Sequence, residues 1–421
     1  MQIQKNRSGI TSPIYICAIF LLSAISLNGD LRGSRILWWT TVAIFMFLSL
    51  VTQTTHIKFN LTYTAWILGF AFISFASIGW ALSASLVLTE MKTMVVHIVV
   101  FSLLSAAIKT QNDITTLLKI ILAACLFNAS YILAKNPDLI TSASEGIGER
   151  LGSNENWNAN LIGMMCALGT VIILHFILHQ KKKSKIQIVI LLILFIFLTF
   201  VAFITGSRKA FLAVLLGVFL YLLLKFKKHR IRILLFFAIF AFIAFFLIYN
   251  VPFLYNIIGW RMEAFLASFS GKGEVDHSTI LRDQLGEVAT NAWKEKPLLG
   301  WGTDCVRLIS QEQIGHRLYS HNNYKELLAN LGVVGFTSFY WGYVYCVFHL
   351  WKLRQNDFAK LFLTLILVIL VLGVGCVHYN DFLFGLVTML AFSCIKITRV
   401  SDDCTQHNSK STHARSGLCQ N

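Results

Sequence analysis

Three basic residues occupy positions where they could do chemistry. His321 begins the stretch HNNYKELLANLGVVG, directly before a predicted helix in which Leu327, Leu328 and Leu331 fall at i+3, i+4 and i+7 from Tyr324. A helix N-terminus attracts anions, which suits a phosphate-bearing ligand and keeps a nearby imidazole neutral and able to accept a proton. His321 is therefore a candidate proton acceptor, and a histidine that merely caps the helix is the alternative.

Two arginines are the other candidates. Arg282 lies in the stretch STILRDQLGEVATNAW, which is predicted to be an amphipathic helix with an N-cap at Ser278. Positive charge in a first helical turn gains nothing from the helix dipole, so another partner is expected there. A salt bridge to Asp283 or Glu287 is the alternative. Arg208, in the stretch TGSRKAFL, lies between two long apolar segments, and its role depends on what those segments are.

The composition predicts the environment of these residues. Hydrophobic residues make up 56% of the chain and charged residues only 13%, and the mean hydropathy is +0.66. A soluble chain of 421 residues could not bury so much apolar surface. The first apolar segment has no convincing cleavage site and is expected to remain in the protein. We therefore predict an all-α integral membrane protein.

Twelve apolar segments are long enough to cross about 30 Å of hydrocarbon. They lie near residues 13–28, 36–52, 62–83, 92–108, 115–134, 158–179, 186–205, 209–225, 231–250, 326–350, 359–376 and 381–397. The predicted regions are transmembrane helices 1–9 in residues 1–250, a large extracytoplasmic loop with amphipathic helices in 251–325, transmembrane helices 10–12 in 326–397, and a disordered cytoplasmic tail in 398–421.

The distribution of lysine and arginine predicts the orientation. Three short loops near residues 181–185, 225–232 and 352–360 are basic, and twelve crossings place them on the same side as Lys5 and Arg7. Because basic short loops stay in the cytoplasm, both termini are predicted to be cytoplasmic and the loop with His321 to face outward. The net charge of +16 is then mainly a topology signal and an attraction to anionic lipid, not a nucleic-acid surface.

The eighth segment is short for a membrane crossing. Fifteen residues lie between Lys209 and Lys225, which is about 22–24 Å of helix at about 1.5 Å per residue. Arg208 is therefore drawn to the outer membrane boundary, where an ionisable side chain usually faces the bundle interior or a wet cavity. The alternative is an arginine that extends to the lipid phosphates.

Several other chemistries find no support in the sequence. The nine cysteines lie mostly in apolar segments and form no C-x-x-C pair, which argues against a disulfide framework or a zinc site. Walker-type loops, dinucleotide-binding glycine motifs and the H-E-x-x-H motif are absent from the sequence. We predict neither a cofactor nor a metal ion.

The three basic residues lie in segments that match elements of a known family. RKAFL matches an R-x3-L element at Arg208 and Leu212, and HNNYKELLANLGVVG matches an H-N-x9-G-x-x-G element. KPLLGWG is similar to a P-x-x-G-x-G stretch that a loop arginine, here Arg282, precedes. Over residues 135–345 the chain thus resembles the bacterial O-antigen ligase and O-antigen polymerase superfamily of integral membrane glycan transferases, which implies a GT-C-like fold.

The resemblance implies a reaction and a role for each basic residue. Members transfer a glycan from undecaprenyl pyrophosphate to an acceptor hydroxyl at the outer face of the bacterial plasma (inner) membrane, without nucleotide sugar or metal. Arg208 and Arg282 would bind the pyrophosphate, on which negative charge grows in the transition state. His321 would be the general base for the acceptor hydroxyl. Attack opposite the pyrophosphate implies inversion at the anomeric carbon.

Further residues near these elements are predicted to contact the substrates. The shorter outer loop, RLGSNENWNANLIG, offers hydrogen-bonding side chains and an aromatic ring that could stack on a sugar. Ordinary loop polarity with an asparagine cap and an interfacial tryptophan is the alternative. The predicted substrate-binding residues are Asn322, Lys209, Arg150, Asn158, Trp157 and Arg261.

The motifs leave the acceptor open. A polymerase joins the glycan to another lipid-linked repeat unit, and a ligase joins it to lipid A-core. Residues 150–163 resemble polymerases, whereas the single large loop resembles the ligase layout; we favour a polymerase, with a ligase as the alternative. A polytopic transporter with an ion path and a structural subunit of an assembly complex are more distant alternatives. The resemblance implies a chain-length regulator and a lipid-linked repeat flippase as partners.

Overall fold

The computed structural model describes residues 10–53, 58–136, 151, 158–179, 184–260, 262–263 and 277–416. Every regular element in these ranges is a helix, which confirms the predicted all-α class. The helices are α1 (Pro13–Ser26), α2 (Gly29–Gly33), α3 (Arg35–Thr52), α4 (Leu61–Ala76), α5 (Ala84–Ala107), α6 (Gln111–Lys135), α7 (Ala159–His179), α8 (Lys185–Ile204), α9 (Arg208–Lys225), α10 (Arg230–Asn250), α11 (Pro252–Leu254), α12 (His277–Glu295), α13 (Val306–Ile314), α14 (Asn323–Lys352), α15 (Asp357–Leu372) and α16 (Phe382–Ser416). Short 3₁₀ turns lie at Ser77–Gly79 and Lys227–His229, and a π-helical turn lies at Tyr255–Gly259.

Nine helices in the described ranges are long and apolar enough to cross a membrane. The other three predicted crossings also fall on helices, but α1 has 14 residues, α15 has 16, and α9 carries basic residues at both ends. The chain is therefore a polytopic membrane protein by length and composition, and the number of twelve crossings stays a prediction.

Helix α7 forms the centre of the bundle. Of its most apolar window, 78% of the residues are buried, against 6% for α10, which presents its apolar side chains outward. Helix α7 packs against α6, α8, α9 and α15. Glycines permit this close approach, because a Cβ added at Gly217 of α9 would lie 2.6 Å from Cγ2 of Val171 in α7.

The two ends of the bundle carry different groups. At one end Asp357, the first residue of α15, lies 2.5 Å from Nζ of Lys225, 2.7 Å from Nζ of Lys360 and 3.0 Å from Nδ1 of His179. These contacts join the last turns of α7 and α9 to the start of α15, so the helix ends next to the three basic stretches of the sequence lie at the same end. Helices α9 and α14 begin, and α15 ends, at the opposite end of the bundle.

The N-terminal helices support α14. Helix α4 packs directly on it, and Nε1 of Trp66 donates to the carbonyl oxygens of Ser338 and Phe339 at 3.0 Å. The ring of Trp66 also stacks on Phe392 of α16 at 5.3 Å between centroids. Helix α4, which the sequence described only as hydrophobic, is thus part of the framework that holds α14.

The C-terminal segment differs from its prediction. Helix α16 continues to Ser416, through most of the segment that was expected to be a disordered tail. The physical reason is that residues 386–416 contain neither proline nor glycine, the two residues that most often end a helix, and Gly417 follows directly. A polar composition alone therefore predicted the wrong local structure here.

Candidate active site

A cavity of about 1020 Å³ lies where α9 and α14 begin and α15 ends, under α12. All three predicted catalytic residues, Arg208, Arg282 and His321, line it, and so do Lys209 and Asn322. These residues come from three separate segments of the chain. The structure therefore places five of the predicted site residues at one cavity.

Arg208 is the first residue of α9. The hydroxyl of Ser207 caps this helix by accepting from the backbone N–H of Ala210 at 3.3 Å, and it donates to Oδ1 of Asn160 in α7 at 2.7 Å. The guanidinium of Arg208 donates from Nη2 to the hydroxyl of Thr279 in α12 at 3.3 Å. Arg208 thus faces the cavity and the loop helix, in agreement with the prediction that it does not extend to lipid.

Arg282 is presented by α12, which packs along α14. The face of α12 that lines the cavity repeats at helical spacing, and its members are Thr279, Arg282, Asp283, Gly286, Glu287, Thr290, Asn291 and Lys294. The opposite face is apolar and buried, with Leu285, Ala289 and Ala292 at 0–1% exposure. Among the described residues, Arg282 forms no ion pair with Asp283 or Glu287, which removes the alternative proposed from the sequence.

The start of α12 differs slightly from its prediction. The helix begins at His277, so Ser278 lies inside its first turn and Arg282 in its second. The face that reaches the cavity could have been found from the sequence, because its polar residues recur at the i+3, i+4 and i+7 spacing of a helix. The apolar residues of the same pattern predict the helix but do not indicate what its polar face contacts.

His321 lies in a sharp turn directly before α14. Its φ of 56° is in the left-handed region, which a histidine adopts only when its surroundings hold it there. On one side, the backbone N–H of Ser320 donates to Oε2 of the fully buried Glu326 at 2.7 Å. On the other side, Oδ1 of Asn322 caps α14 by accepting from the N–H groups of Tyr324 and Lys325 at 3.0 and 3.1 Å. These contacts fix the backbone around the imidazole.

The position of the turn is fixed by a second asparagine. Asn323 is fully buried, and its Oδ1 accepts from the N–H groups of His378 and Tyr379 at 2.9 and 3.1 Å. Its own N–H donates to the carbonyl oxygen of Gly373 at 2.8 Å. Asn323 therefore joins the start of α14 to the connection between α15 and α16, whereas Asn322 serves as the N-cap and also lines the cavity.

The environment of His321 keeps its imidazole neutral. Burial, followed by the positive charges of Arg282 and Lys209, lowers the pKa of His321 to about 4. A neutral imidazole has a free nitrogen lone pair and can accept a proton. The predicted neutral state of this histidine is thus supported by its surroundings.

The cavity favours anions. The described side chains that line it include five cations, Arg208, Lys209, Arg282, Lys294 and Lys325, and two carboxylates, Asp283 and Glu287. The N-termini of α9 and α14 both open toward it, which adds partial positive charge. Lys325 reaches α12 at Gly286, where an added Cβ would lie 3.2 Å from its Nζ. Lys325 and Lys294 were missed by the sequence analysis, because nothing in the motifs marks them.

The wall formed by α9 and α15 is apolar. Its described residues are Phe211, Leu212, Leu215, Val371, Leu372 and Val374. Leu212 and Val371 are each 44% exposed and Val374 is 64% exposed, at the apolar side of the bundle. The cavity therefore combines five cationic side chains with a partly exposed apolar wall.

The two glycine motifs of the sequence form one structural unit. Gly332 interrupts α14 with φ 62° and ψ −166°, and an added Cβ there would overlap the carbonyl group of Leu298. The N–H groups of Val333 and Val334 donate to the carbonyl oxygens of Pro297 and Leu298, at 2.9 and 3.2 Å. Gly332 therefore permits close contact between α14 and the loop backbone.

The loop segment returns the same number of hydrogen bonds to the helix. The N–H groups of Trp301 and Gly302 donate to the carbonyl oxygens of Ala329 and Asn330, at 3.0 and 2.7 Å. Gly300 and Gly302 have φ of 65° and 101°, and a Cβ added at Gly300 would lie 2.5 Å from the carbonyl carbon of Asn330. The residues 297–302 thus replace the two helical hydrogen bonds that the break at Gly332 removes.

Of the other four predicted substrate-binding residues, only Asn158 is described, and it does not line the cavity. Asn158 precedes α7, and its Oδ1 accepts from the N–H of Asn160 at 2.9 Å, as a capping side chain does. Asn160, two residues on, is the one that lines the cavity. Arg150, Trp157 and Arg261 lie outside the described residues, so their roles stay predictions.

The comparison with known families agrees with this geometry. Residues 193–340 match the family described as O-antigen ligase, which confirms over this segment the resemblance found in the sequence. The matched segment is shorter than half of the chain and runs from α8 into α14, so it contains Arg208, Arg282 and His321. A comparison with individual curated proteins gave no match. The family match implies a membrane protein of the glycan ligase or glycan polymerase type.

Proposed function

We propose that this chain, whose residues 193–340 match the O-antigen ligase family, transfers a glycan from undecaprenyl pyrophosphate to an acceptor sugar hydroxyl at the outer face of the bacterial plasma membrane. The observation that carries the proposal is that Arg208, Arg282 and His321, from three separate segments, line one cavity. Both termini would be cytoplasmic, and a chain-length regulator and a flippase would be its partners.

The cationic side chains of the cavity would bind the pyrophosphate of the donor. Arginine guanidinium groups bind phosphate oxygens bidentately, and Arg208 and Arg282 both line the cavity, on α9 and α12. Lys209 adds charge, and its side-chain stem lies along Gly375, where an added Cβ would be 3.1 Å from Cε. The apolar wall between α9 and α15 would hold the adjacent part of the polyprenyl chain.

His321 would act as the general base. As the acceptor oxygen attacks the anomeric carbon, its proton passes to the neutral imidazole, and the bond from that carbon to the pyrophosphate oxygen breaks with its electron pair. The negative charge that develops on the leaving group lies among Arg208, Arg282 and Lys209, where preorganised cations stabilise it. Attack from the side opposite the leaving group gives inversion. No metal ion is needed for this scheme.

The acceptor decides between two activities of this type. We favour a polymerase, in which the acceptor is a second lipid-linked repeat unit, because residues 150–163 resemble polymerases. A ligase, in which the acceptor is lipid A-core, is the second candidate, because the matching family is described as O-antigen ligase. The same donor site and base would serve both reactions.

Genetic complementation tests the proposal. A strain that lacks the gene is supplied with the intact chain, His321→Ala, Arg208→Ala or Arg282→Ala, and its surface polysaccharide is separated on a gel. We expect all three variants to lose the activity, since general bases and charge-stabilising groups each contribute about 10²-fold or more. His316→Ala and Arg317→Ala are matched controls, because both side chains are exposed in the loop before His321.

The gel pattern separates the candidates. A single repeat unit on lipid A-core in the deletion strain identifies a polymerase, and polymer left on the lipid carrier identifies a ligase. A normal ladder from His321→Ala and Arg208→Ala at normal protein levels would contradict a transferase at this site, and the transporter interpretation would replace it.

A further inference from the structure

Two side chains, Tyr319 and Arg307, pack in a row next to His321. The ring of Tyr319 lies 4.3 Å from the imidazole of His321 between centroids, and the guanidinium carbon of Arg307 lies 5.5 Å from the centroid of the Tyr319 ring. A cation over an aromatic face is attracted by the electrons of the ring. Tyr319 and Arg307 are both described, and neither lines the cavity. Their contact with the site is therefore made through His321.

Arg307, which lies farthest from His321 in this row, is held by carboxylates. Nε of Arg307 lies 2.6 Å from Oδ1 of Asp304, whose φ of 61° is in the left-handed region. On its other side, Arg307 lies 4.0 Å from the carboxylate of Glu90 in α5, which accepts a hydrogen bond from Nδ2 of Asn380 at 2.6 Å. Arg307 thus contacts a carboxylate of the loop and a carboxylate of α5, and the latter is bound in turn by Asn380 before α16.

The same region also holds the backbone of the turn. Glu326, which binds the N–H of Ser320, accepts a second bond from Nδ2 of Asn330 at 3.1 Å. Oδ1 of Asn330 accepts from the N–H of Val306, the residue before Arg307, at 3.0 Å. The turn of His321 and the helix that carries Arg307 are therefore linked twice. One link is the contact of Tyr319 with His321 and Arg307, and the other is this buried chain of hydrogen bonds.

We propose that Tyr319 and Arg307 are positioning residues, which hold the imidazole of His321 in the orientation and the water-poor environment that a general base needs. The proposal rests on the proposed function, since it assumes that His321 is the base. The ring of Tyr319 packs against the imidazole at an interplanar angle of 50°, and the guanidinium of Arg307 lies over that ring. The strained backbone at His321 sets the direction in which the side chain leaves the turn, and the contact with Tyr319 prevents the imidazole from rotating away from the cavity.

The charge of Arg307 does not compromise the base. Arg307 lies next to the carboxyl groups of Asp304 and Glu90. The cations that lower the pKa of His321 are Arg282 and Lys209. Burial raises the pKa of Asp304 to about 7, although Arg307 acts in the opposite sense. The groups that face Arg307 are Asp304, Tyr379, Glu90, Glu326 and Tyr319.

The test measures steady-state kinetics of the full chain in membranes. The substrate is the lipid extract of a strain that lacks the gene, which accumulates the lipid-linked glycan, with lipid A-core added if the chain is a ligase. We expect Tyr319→Leu to lower kcat about 10- to 100-fold with little change in KM, because a small displacement of a reacting group has an effect of this size. Tyr319→Phe keeps the ring and should retain near-normal kcat.

A pH profile separates positioning from a general structural role. When Tyr319→Leu opens the imidazole to water, its pKa should rise from about 4 toward the ordinary value of about 6.5. The base acts only when neutral, so the acidic limb of the rate should move to higher pH. A variant that is merely less stable would lose amplitude at every pH without a shift of the limb.

Arg307 provides a second, independent variant. Arg307→Gln should lower kcat about tenfold and Arg307→Lys should recover part of it, because lysine keeps a cation over the ring. Arg317→Gln is the matched control, since Arg317 is exposed ten residues further along the same loop. Membrane levels of each variant are measured by immunoblot.

Each outcome bears on a different claim. Unchanged kcat and an unchanged acidic limb in both Tyr319→Leu and Arg307→Gln, while His321→Ala is inactive, would overturn the positioning role alone. Equal losses in Tyr319→Phe and Tyr319→Leu, with raised KM, would overturn it in favour of a substrate contact by the hydroxyl. Full activity of His321→Ala would overturn the proposed base itself.

Discussion

His321 combines a strained backbone with a chemically useful side chain. A left-handed φ at a residue other than glycine is costly by about 1–3 kcal/mol and persists only where the surrounding structure imposes it. Here the imposing contacts are the buried Glu326 and the N-cap Asn322, which lie on either side of the turn. The strain is therefore a consequence of placing an imidazole over a cavity while a membrane helix starts directly after it.

The low pKa of His321 leads to a prediction about pH. A general base works only when it is neutral, so activity should persist at about pH 5, where a histidine with the ordinary pKa of about 6.5 would be protonated and inactive. The acidic limb of kcat/KM should lie near pH 4, the value to which burial and the two cations lower the pKa of His321. The measurement is the rate of glycan transfer in membranes between about pH 4 and 8.

Lys209→Met serves as the internal comparison. Removal of its charge should raise the pKa of His321 and so move the acidic limb of kcat/KM to higher pH, because this cation is one of the causes of the low pKa. A limb that stays near pH 6.5 in the intact chain would show that His321 is not the group that titrates.

At the scale of elements, the break in α14 determines how the outer loop is attached. Residues 297–302 and 329–334 exchange four backbone hydrogen bonds across the break at Gly332. A side chain at Gly332 would require a disfavoured φ and would also overlap the carbonyl group of Leu298. Both effects act on the segment that separates α12 from α13.

Gly332→Ala is therefore expected to destabilise the protein by about 3 kcal/mol or more, as the sum of backbone strain and steric overlap. Gly315→Ala is the matched control, because Gly315 has φ 73° but open space where a Cβ would lie, and it should cost about 1 kcal/mol. The measurement is the apparent melting temperature of the detergent-purified full chain at a fixed scan rate. Equal losses in the two variants would show that the overlap at Leu298 is relieved without cost.

The sequence predicted the elements better than their junctions. Apolar length identified α14 and α9, and motif spacing identified the residues at their starts, because both signals are local. The break at Gly332 was not predicted, since the apolar pattern of α14 continues through it and its hydrogen-bond partners lie about thirty residues away in sequence. Similarly, Lys325 and Asn160 reach the cavity only because α7, α12 and α14 come together there.

At the scale of the whole molecule, Asp357 connects three helices at the end opposite the cavity. Its carboxylate lies within 3.0 Å of Lys225, Lys360 and His179, and its side chain is only 20% exposed. Loss of one partner from such a cluster leaves the remaining charges close together without compensation. The cluster therefore contributes to how α7, α9 and α15 pack.

Asp357→Asn is expected to lower the stability of the full chain by about 1–3 kcal/mol without changing KM for the lipid-linked donor, since the cluster is remote from the cavity. Thermal unfolding in detergent measures the first quantity and membrane kinetics the second. Glu312→Gln, an exposed acidic residue on α13, is the control and should leave both unchanged. A raised KM in Asp357→Asn at wild-type stability would indicate instead that a change at this end of the bundle alters donor binding at the cavity.

The global arrangement was predictable only in outline. Composition and basic loops indicated a bundle with one basic end, and the contacts of Asp357 bring together the ends of α7 and α9 and the start of α15, which lie next to these loops. What the sequence could not show is that the N-terminal helices contact the elements around the site, through Trp66 against α14 and Glu90 beside Arg307. Such contacts join residues more than 200 positions apart, and no local pattern encodes them.

The hydrogen bonds between residues 297–302 and the broken helix also bear on how this protein can be dissected. A water-soluble fragment that contains only the outer loop would carry two backbone N–H groups and two carbonyl oxygens whose partners remain behind in the membrane. Those groups would bind water, and α12 and α13 would lose the surface on which they pack. Antibodies or inhibitors selected against such a fragment would therefore be directed at a shape that the intact protein does not present.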